Sequence, residues 1–292
     1  MSRPEVITSI EAMQEASKRA RRRGTIALVP TMGALHEGHL SLVKAARNAC
    51  DMVVVSIFVN PTQFGPKEDY ERYPRTLGED LELLGRDEVD FVFTPRTTDM
   101  YPAGNTATLV EVPNISDRLD GASRMGHFRG VATVVAKLFH ITLPDVAFFG
   151  QKDAAQVAVL RAMVRDLNFP VSLVVCPTVR ESDGLAMSSR NRYLTVSERV
   201  QSLALYRALS EAHGEIDRGV RDARELRGTM MRVMRDQPAM QTEYVEVVDP
   251  DTLLPVEDVS KGALLAVAAR VGGTRLIDNV LFPPPAGSDL CE

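Results

Sequence analysis

Nowhere in the 292 residues does an apolar run approach the ~20 needed to cross a bilayer. Near the start stands a basic stretch, Lys18 to Arg23, where a secretory leader would carry an apolar core. Neither a membrane span nor a leader is expected. Cysteine is scarce, and Cys50, Cys176 and Cys291 are far apart and form no C-x-x-C. That pattern belongs to free thiols in a reducing cytoplasm. Positive charge is not in excess either: the formal net charge of −5 argues against a nucleic-acid surface, while leaving room for a local basic pocket. Histidine is sparse, with His36, His39, His127, His140 and His213 the full set. Internal repeats and low-complexity tracts are missing. What remains is an ordinary globular composition, 45% hydrophobic and 25% charged, with chain enough for one large or two modest domains.

The stretch around which the chain is organised is Val29 to Leu40, V-P-T-M-G-A-L-H-E-G-H-L. An apolar strand-like run from Thr25 feeds Pro30, a turn follows at Met32-Gly33, and a helical pattern runs on to about Cys50. Strand, glycine turn and helix make half of a βαβ unit and place polar groups where the strand ends. If His36 and His39 lie in the first helical turn, their spacing of three puts both imidazoles on one face. Unpaired N–H groups and the helix dipole favour an anion there, and Gly38 allows close approach to the backbone. The pattern therefore reads as a nucleotide-phosphate site. Zinc is the competing reading, but it requires a third protein ligand that the histidine and cysteine counts do not supply.

The other chemistry follows strands. Met52 to Val59 is a near-continuous apolar run, as in a strand buried on both faces of a parallel sheet. N-P-T-Q-F-G comes directly after it, so Asn60 and Gln63 carry amides to the same sheet edge as the histidines. A plain Asn-Pro turn would explain Asn60 equally well. Val146 to Phe149 is another buried strand, followed by Gly150-Gln151-Lys152-Asp153, where Lys152 offers a point charge to phosphate. Asp153 either caps the next helix or accepts from ribose, and Gln156 adds a second amide one turn later. The glycine- and arginine-rich loop from Arg118 to Gly130 makes Arg124 and Arg129 available to phosphates. In Val179 to Leu194 the core M-S-S-R-N can wrap a triphosphate, or serve as a polar hinge. Further expectations are a helix from Ile7 to Arg23 capped by Thr8 or Ser9, a helix from Glu68 to Gly85, an edge strand at Leu109 to Val112 and a helix from Val131. After Thr195 two helices precede three strands, which predicts a Rossmann-like parallel-sheet α/β domain over residues 1–180 and a smaller α+β domain over 181–292.

Taken together and in order, PTMGALHEGH, SIFVNPTQF, RMGHFRGV, FFGQKDAAQ and MSSRN resemble the pantoate–β-alanine ligase (pantothenate synthetase) family. The family belongs to the nucleotidyltransferase superfamily of the class I aminoacyl-tRNA synthetases. Its H-x-G-H motif corresponds to His36-Glu37-Gly38-His39, and M-S-S-R at Met187 to Arg190 replaces the superfamily's lysine-containing loop. The resemblance implies ATP-dependent condensation of pantoate with β-alanine through a pantoyl adenylate, with Mg²⁺ accompanying ATP, in a cytoplasmic homodimer. It implies that Met32, Gly33, Ala34, Leu35, His36, Glu37, Gly38 and His39 line ATP. The same holds for Gly150, Gln151, Lys152 and Asp153, and for Val179, Met187, Ser188, Ser189 and Arg190. His39 is implied as the proton donor, supported by His36, Lys152, Ser188, Ser189 and Arg190. Gln63 and Gln156 are expected to hold pantoate, Gln63 also lies toward β-alanine, and Asn60 and Arg124 are counted with the substrates. No protein ligand for Mg²⁺ stands out; Glu79 and Asp80 are candidates only. A different nucleotidyltransferase, a nucleotide-binding sensor without catalysis and a zinc hydrolase remain the rivals.

Overall fold

Apolar runs that read as buried strands become neighbours in one sheet. The computed structural model describes residues 3–66, 68–102, 104 and 108–283, so Cys291 and the two prolines after Pro283 lie outside the described residues. In chain order the first part holds β1 (Glu5–Ile7), α1 (Ile10–Ala20), β2 (Ile26–Thr31), α2 (Glu37–Ala49) and β3 (Met52–Ile57). It continues with α3 (Leu77–Arg86), β4 (Phe91–Phe93), α4 (Thr97–Met100), α5 (Asp120–Ser123) and α6 (His127–Thr142). Then come β5 (Val146–Gly150), α7 (Ala154–Asp166) and β6 (Ser172–Cys176). The six strands pair in parallel in the order β1-β4-β3-β2-β5-β6.

That order decides where a ligand can sit. From β2 the chain winds one way through β3 and β4, then returns to build β5 and β6 on the other side, so the topological switch lies between β2 and β5. The two strands also part there. β2 keeps register with β3 from Ile26 to Thr31 but with β5 only at Ala27↔Val146 and Leu28↔Ala147. Pro30 has no N–H to extend a ladder, which suits a strand whose end must stand open. The histidine segment follows β2, and Gly150 to Asp153 follows β5, so both sit on the rim of the same crevice.

The remainder is α8 (Val196–Asp217), α9 (Ala223–Arg235), β7 (Met240–Val248), β8 (Ala263–Val271) and β9 (Thr274–Phe282), with the strands in an antiparallel sheet ordered β7-β8-β9. β8 is buried on both faces. Leu265, Val267 and Ala269 join the apolar cluster of α8 and α9, while the alternate Leu264 and Ala266 join the core of the large sheet. The expected parallel-sheet α/β architecture with a smaller α+β part is what the chain forms.

Three local expectations fail, each for a physical reason. Glu68 to Gly85 is helical only from Leu77, because Pro74 cannot donate within a helix and disfavours helical backbone at Tyr73. Leu109 to Val112 is not a strand; Val110 N–H donates to the Thr133 hydroxyl instead, and β1, which the helix reading overlooked, holds the sheet edge. The segment Arg118 to Gly130 is less open than expected, since α5 and the first turn of α6 lie within it. Ser9 is the cap of α1, accepting from Ala12 N–H at 3.1 Å.

α6 crosses the Pro61–Gln63 turn at Gly130, where an added Cβ would stand 2.6 Å from the Thr62 carbonyl carbon and 2.7 Å from Gln63 N. Both are backbone atoms and cannot step aside. Gly130→Ala should therefore lower stability by about 1–3 kcal/mol, the range for overpacking a close contact. Urea unfolding of the two proteins gives that difference directly.

Candidate active site

The loop from β2 into α2 is held from below by one carboxylate. Asp80, in the first turn of α3 and 1% exposed, accepts from Ala34 N–H at 3.1 Å through Oδ2 and from Leu35 N–H at 2.9 Å through Oδ1. Thr76 Oγ1 donates to Oδ1 at 3.3 Å. The segment needs such support because Gly33 and Ala34 both have left-handed backbone, with φ of 82° and 52°. For alanine that conformation is strained, and two N–H bonds to one buried anion offset the strain.

The two histidines then close the start of α2. His36 is its N-cap: Nδ1 accepts from Gly38 N–H at 3.1 Å, while His39 Nδ1 accepts from His36 N–H at 3.4 Å. The rings lie 4.1 Å apart. Gly38 is required here for a reason the sequence did not reveal, since a Cβ on it would stand 2.9 Å from the His36 ring. Because Gly38 N–H already has an imidazole acceptor, the expected phosphate contact through that backbone group gives way to donation from the rings. Both Nδ1 atoms accept, so in the neutral rings the proton resides on Nε2. Burial, then the charges of Lys152 and Arg192, brings His36 down to about 4. Burial, then His36 and Lys152, brings His39 down to about 3. The pair acts at neutral pH as two uncharged N–H donors.

Two connected chambers open at the rim. The inner one, about 190 Å³, is walled by Met32, His39, Ser56, Phe58, Gln63, Gln156 and the α6 side chains Val131, Val134, Val135 and Leu138. The outer one, about 440 Å³, includes Lys152, Ser188, Tyr193 and residues of the β8–β9 hairpin. Arg124, His127, Asp153, Gln156 and Arg190 line both. Lys152 acts electrostatically on both imidazoles, and Met187 lies 3.8 Å from where a Cβ on Gly38 would stand. Residues from segments far apart in the chain thus meet at one place. Asp153 makes no cap bond to α7, which leaves its carboxylate to the chambers.

Comparison with known proteins gives the family. The sequence model of the family described as pantoate-beta-alanine ligase matches residues 5–281. The chain belongs to the pantoate–β-alanine ligase family. A pantothenate synthetase of Acidobacterium capsulatum is 61% identical over 291 residues, covering 97% of each chain. The solved pantothenate synthetase of Thermus thermophilus superposes with a TM-score of 0.91 at 45% identity, covering 96% of this chain and 100% of that one. The pantoate-beta-alanine ligase of Francisella tularensis, complexed with beta-gamma ATP and beta-alanine, gives a TM-score of 0.77 at 35% identity, covering 95% and 97%.

Within this ligase fold several side chains do other work than the sequence implied. Asn60 is buried with its amide fully engaged: Nδ2 donates to Gln63 Oε1 and Gly130 O, and Oδ1 accepts from Tyr101, Thr62 N–H and the Thr62 hydroxyl. It orients Gln63 and stands in the wall of the inner chamber. Arg124 forms a fork with Glu68 at 2.7 and 2.6 Å and meets His127 Nε2 at 2.8 Å, so it is not a spare cation for phosphate. Arg190 forms a second fork, with Asp69 at 2.9 Å twice. Arg129 is exposed and lines neither chamber. Glu37 faces solvent with Lys44 at 3.8 Å, and Leu35 packs in the core with Leu40 and Val43. Val179 and Ser189 line neither chamber, although Val179 O receives Met187 N–H. Asp80 is saturated by the loop and Glu79 is exposed, so the Mg²⁺ candidacy of both is corrected.

Nothing in the local sequence pattern signals Glu68, Asp69 or the function of His127. His127 must carry its proton on Nδ1, since that atom faces the Gln63 carbonyl at 2.8 Å, and Nε2 accepts from Arg124. Burial and the Arg124 charge, opposed by the Gln63 bond, bring its pKa down to about 4. Three histidines are therefore neutral in the folded protein and would charge on unfolding below their ordinary value near 6.5. Such groups stabilise the fold fully above that value, and the contribution is lost as pH falls from 6.5 toward 4. The slope is at most about 1.4 kcal/mol per pH unit for each histidine. Urea midpoints at pH 5 should lie clearly below those at pH 7; equal midpoints would contradict neutral histidines.

Proposed function

We propose that the two chambers carry out the two halves of an ATP-dependent condensation of pantoate with β-alanine, yielding pantothenate, AMP and diphosphate. The observation that carries this reading is the shared wall: an amide-and-apolar inner chamber holding His39 opens directly onto Lys152 and Ser188. Pantoate is a small branched hydroxy acid. Its dimethyl carbon suits the valine and leucine face of α6, and its polar groups suit the Gln63 and Gln156 amides. Uncharged amides orient a carboxylate without offering a competing nucleophile.

In the first half a carboxylate oxygen of pantoate attacks the α-phosphorus of ATP, and the bond to the bridging oxygen of diphosphate breaks. Protein groups need only align the atoms and stabilise charge on the phosphoryl oxygens and the leaving group. His36 and His39 do so as neutral Nε2–H donors, Lys152 as an ammonium, and Ser188 through its hydroxyl. Ser188 Oγ accepts from Arg190 N–H at 3.3 Å, leaving the hydroxyl hydrogen to donate. Ser189 supports the same arm. Arg190 contributes through the guanidinium edge that Asp69 does not occupy. Met32, His36, Gly38 and His39, together with Gly150 to Asp153, Met187, Ser188 and Arg190, form the nucleotide surface, with Leu35, Val179 and Ser189 behind it. In the second half the β-alanine amine attacks the acyl carbon, loses a proton and displaces AMP.

Mg²⁺ fits as an ion brought by the nucleotide. Among the described residues no three His, Cys, Asp or Glu side chains form a metal cage, and Glu68 and Asp69 are taken by arginines. Asp153 is the carboxylate left to hold it, consistent with an ion bound mainly by phosphates and water. When bound it neutralises phosphate charge.

We also propose that residues 181–292 form a separate domain covering the site, supported by their own apolar cluster and by β9 facing Lys152. A homodimer is supported by the open edge of β6, where Val174 is exposed. Cytoplasmic placement is supported by the buried free thiols Cys50 and Cys176. Among the described residues no helix is long and apolar enough to cross a membrane.

AMP release measured with ATP, Mg²⁺, pantoate and β-alanine, each omitted in turn, tests the reading: AMP should accumulate only when all are present. Lys152→Ala should lower turnover about 100- to 1000-fold, as when one transition-state donor is removed. AMP release without pantoate, or with unrelated acids in its place, would overturn the assignment.

A further inference from the structure

Lys152 and the Ser188 arm follow β5 and β6 in the chain, yet the groups that fix them stand on β9. Asn279, on β9 and buried, donates through Nδ2 to Gln151 O at 3.0 Å and to Lys152 O at 2.8 Å. Its Oδ1 accepts from Gln151 Nε2 at 3.0 Å. Its side-chain amide is thus spent on one two-residue turn, 127 or more positions earlier in the chain. An amide at a buried strand position costs desolvation that an apolar residue would avoid, unless its bonds serve something beyond the ladder.

The preceding residue reaches the other arm. Asp278 accepts Asn279 N–H at 2.7 Å and forms a fork with Arg180 at 2.6 and 2.9 Å. Arg180 in turn donates to Gly184 O at 3.0 Å and forms a backbone bridge with Ala186, directly before Met187 and Ser188. Two consecutive residues of β9 therefore tie down both phosphate-facing elements, the Lys152 turn directly and the Ser188 arm through Arg180.

We propose that Asn279 is a positioning residue for Lys152 in the adenylation step, with Asp278 setting the opposite arm; this rests on the function proposed above. Lysine is a flexible point charge whose aim depends on where its backbone is anchored. A misplacement near 1 Å can cost on the order of 100-fold. The effect falls on the step in which diphosphate departs, because that is where the ammonium faces developing charge.

The test compares the two half-reactions in Asn279→Ala and Asn279→Asp. Pantoate-dependent exchange of labelled diphosphate into ATP reads the first half, and AMP release from supplied pantoyl adenylate with β-alanine reads the second. Exchange kcat should fall about 10- to 100-fold in Asn279→Ala, with KM for pantoate unchanged and the second half-reaction retained. Asn279→Asp, isosteric but presenting an anion to two carbonyls, should lose at least as much. Should β9 fail to fold in these variants, Gln151→Met removes the return bond without altering the strand and should lower exchange several-fold. Unchanged exchange in folded variants, or equal losses in both half-reactions that follow a lowered melting temperature, would overturn the proposal. No pantoate-dependent exchange in the unmodified protein would instead overturn the functional reading on which it rests.

Discussion

One buried anion, the carboxylate of Asp80, holds two successive main-chain N–H groups in a loop whose backbone turns left-handed at Gly33 and Ala34. The placement of the site follows from that attachment. The loop determines where α2 begins, and the start of α2 determines where the two imidazoles stack. Opposite it, the β5 rim is fixed from the small sheet by Asn279. The crevice is thus a gap between two strands with limited pairing, whose lips are each pinned by a polar side chain from elsewhere in the chain.

Charge is distributed around that gap with little left free. Arg124 and Arg190 look like phosphate ligands in the sequence, but each is matched to a carboxylate in a two-bond fork. Two charge-assisted bonds per pair offset the desolvation of these partly buried charges, and the pairing keeps a cluster of cations from repelling itself before a ligand arrives. Lys152 has no carboxylate within salt-bridge distance among the described residues, and its charge is felt at both histidines. The site therefore presents the Lys152 charge beside several neutral donors, with the Arg124 and Arg190 guanidinium groups held by carboxylates.

How much of this was legible in the sequence depends on the range of the interaction. The strands at 52–57 and 146–150 follow from apolar runs, and the histidine helix follows from a strand, a turn and an i, i+3 pair, all local patterns. The crevice itself was legible because the loops after parallel strands gather on one edge. Partnerships were not. Arg124 finds Glu68 across 56 residues and Arg190 finds Asp69 across 121, and no local spacing encodes either. Asn60 shows the limit well: its position after β3 was readable, but only the fold shows its amide consumed by Gly130, Tyr101, Thr62 and Gln63. The helix expected from Glu68 starts late because apolar periodicity continues through Pro74 where helical backbone cannot.

The locked tautomers of His36 and His39 carry one more implication. A histidine pair one turn apart ordinarily scavenges copper, nickel or zinc from its surroundings, in the order of their intrinsic affinities. Here each δ-nitrogen lone pair is already committed to a main-chain N–H, and the ε-nitrogen keeps its hydrogen. Coordination would require stripping that hydrogen or breaking the start of the helix, so the same bonds that shape the donor pair also shield it from poisoning by stray transition metals.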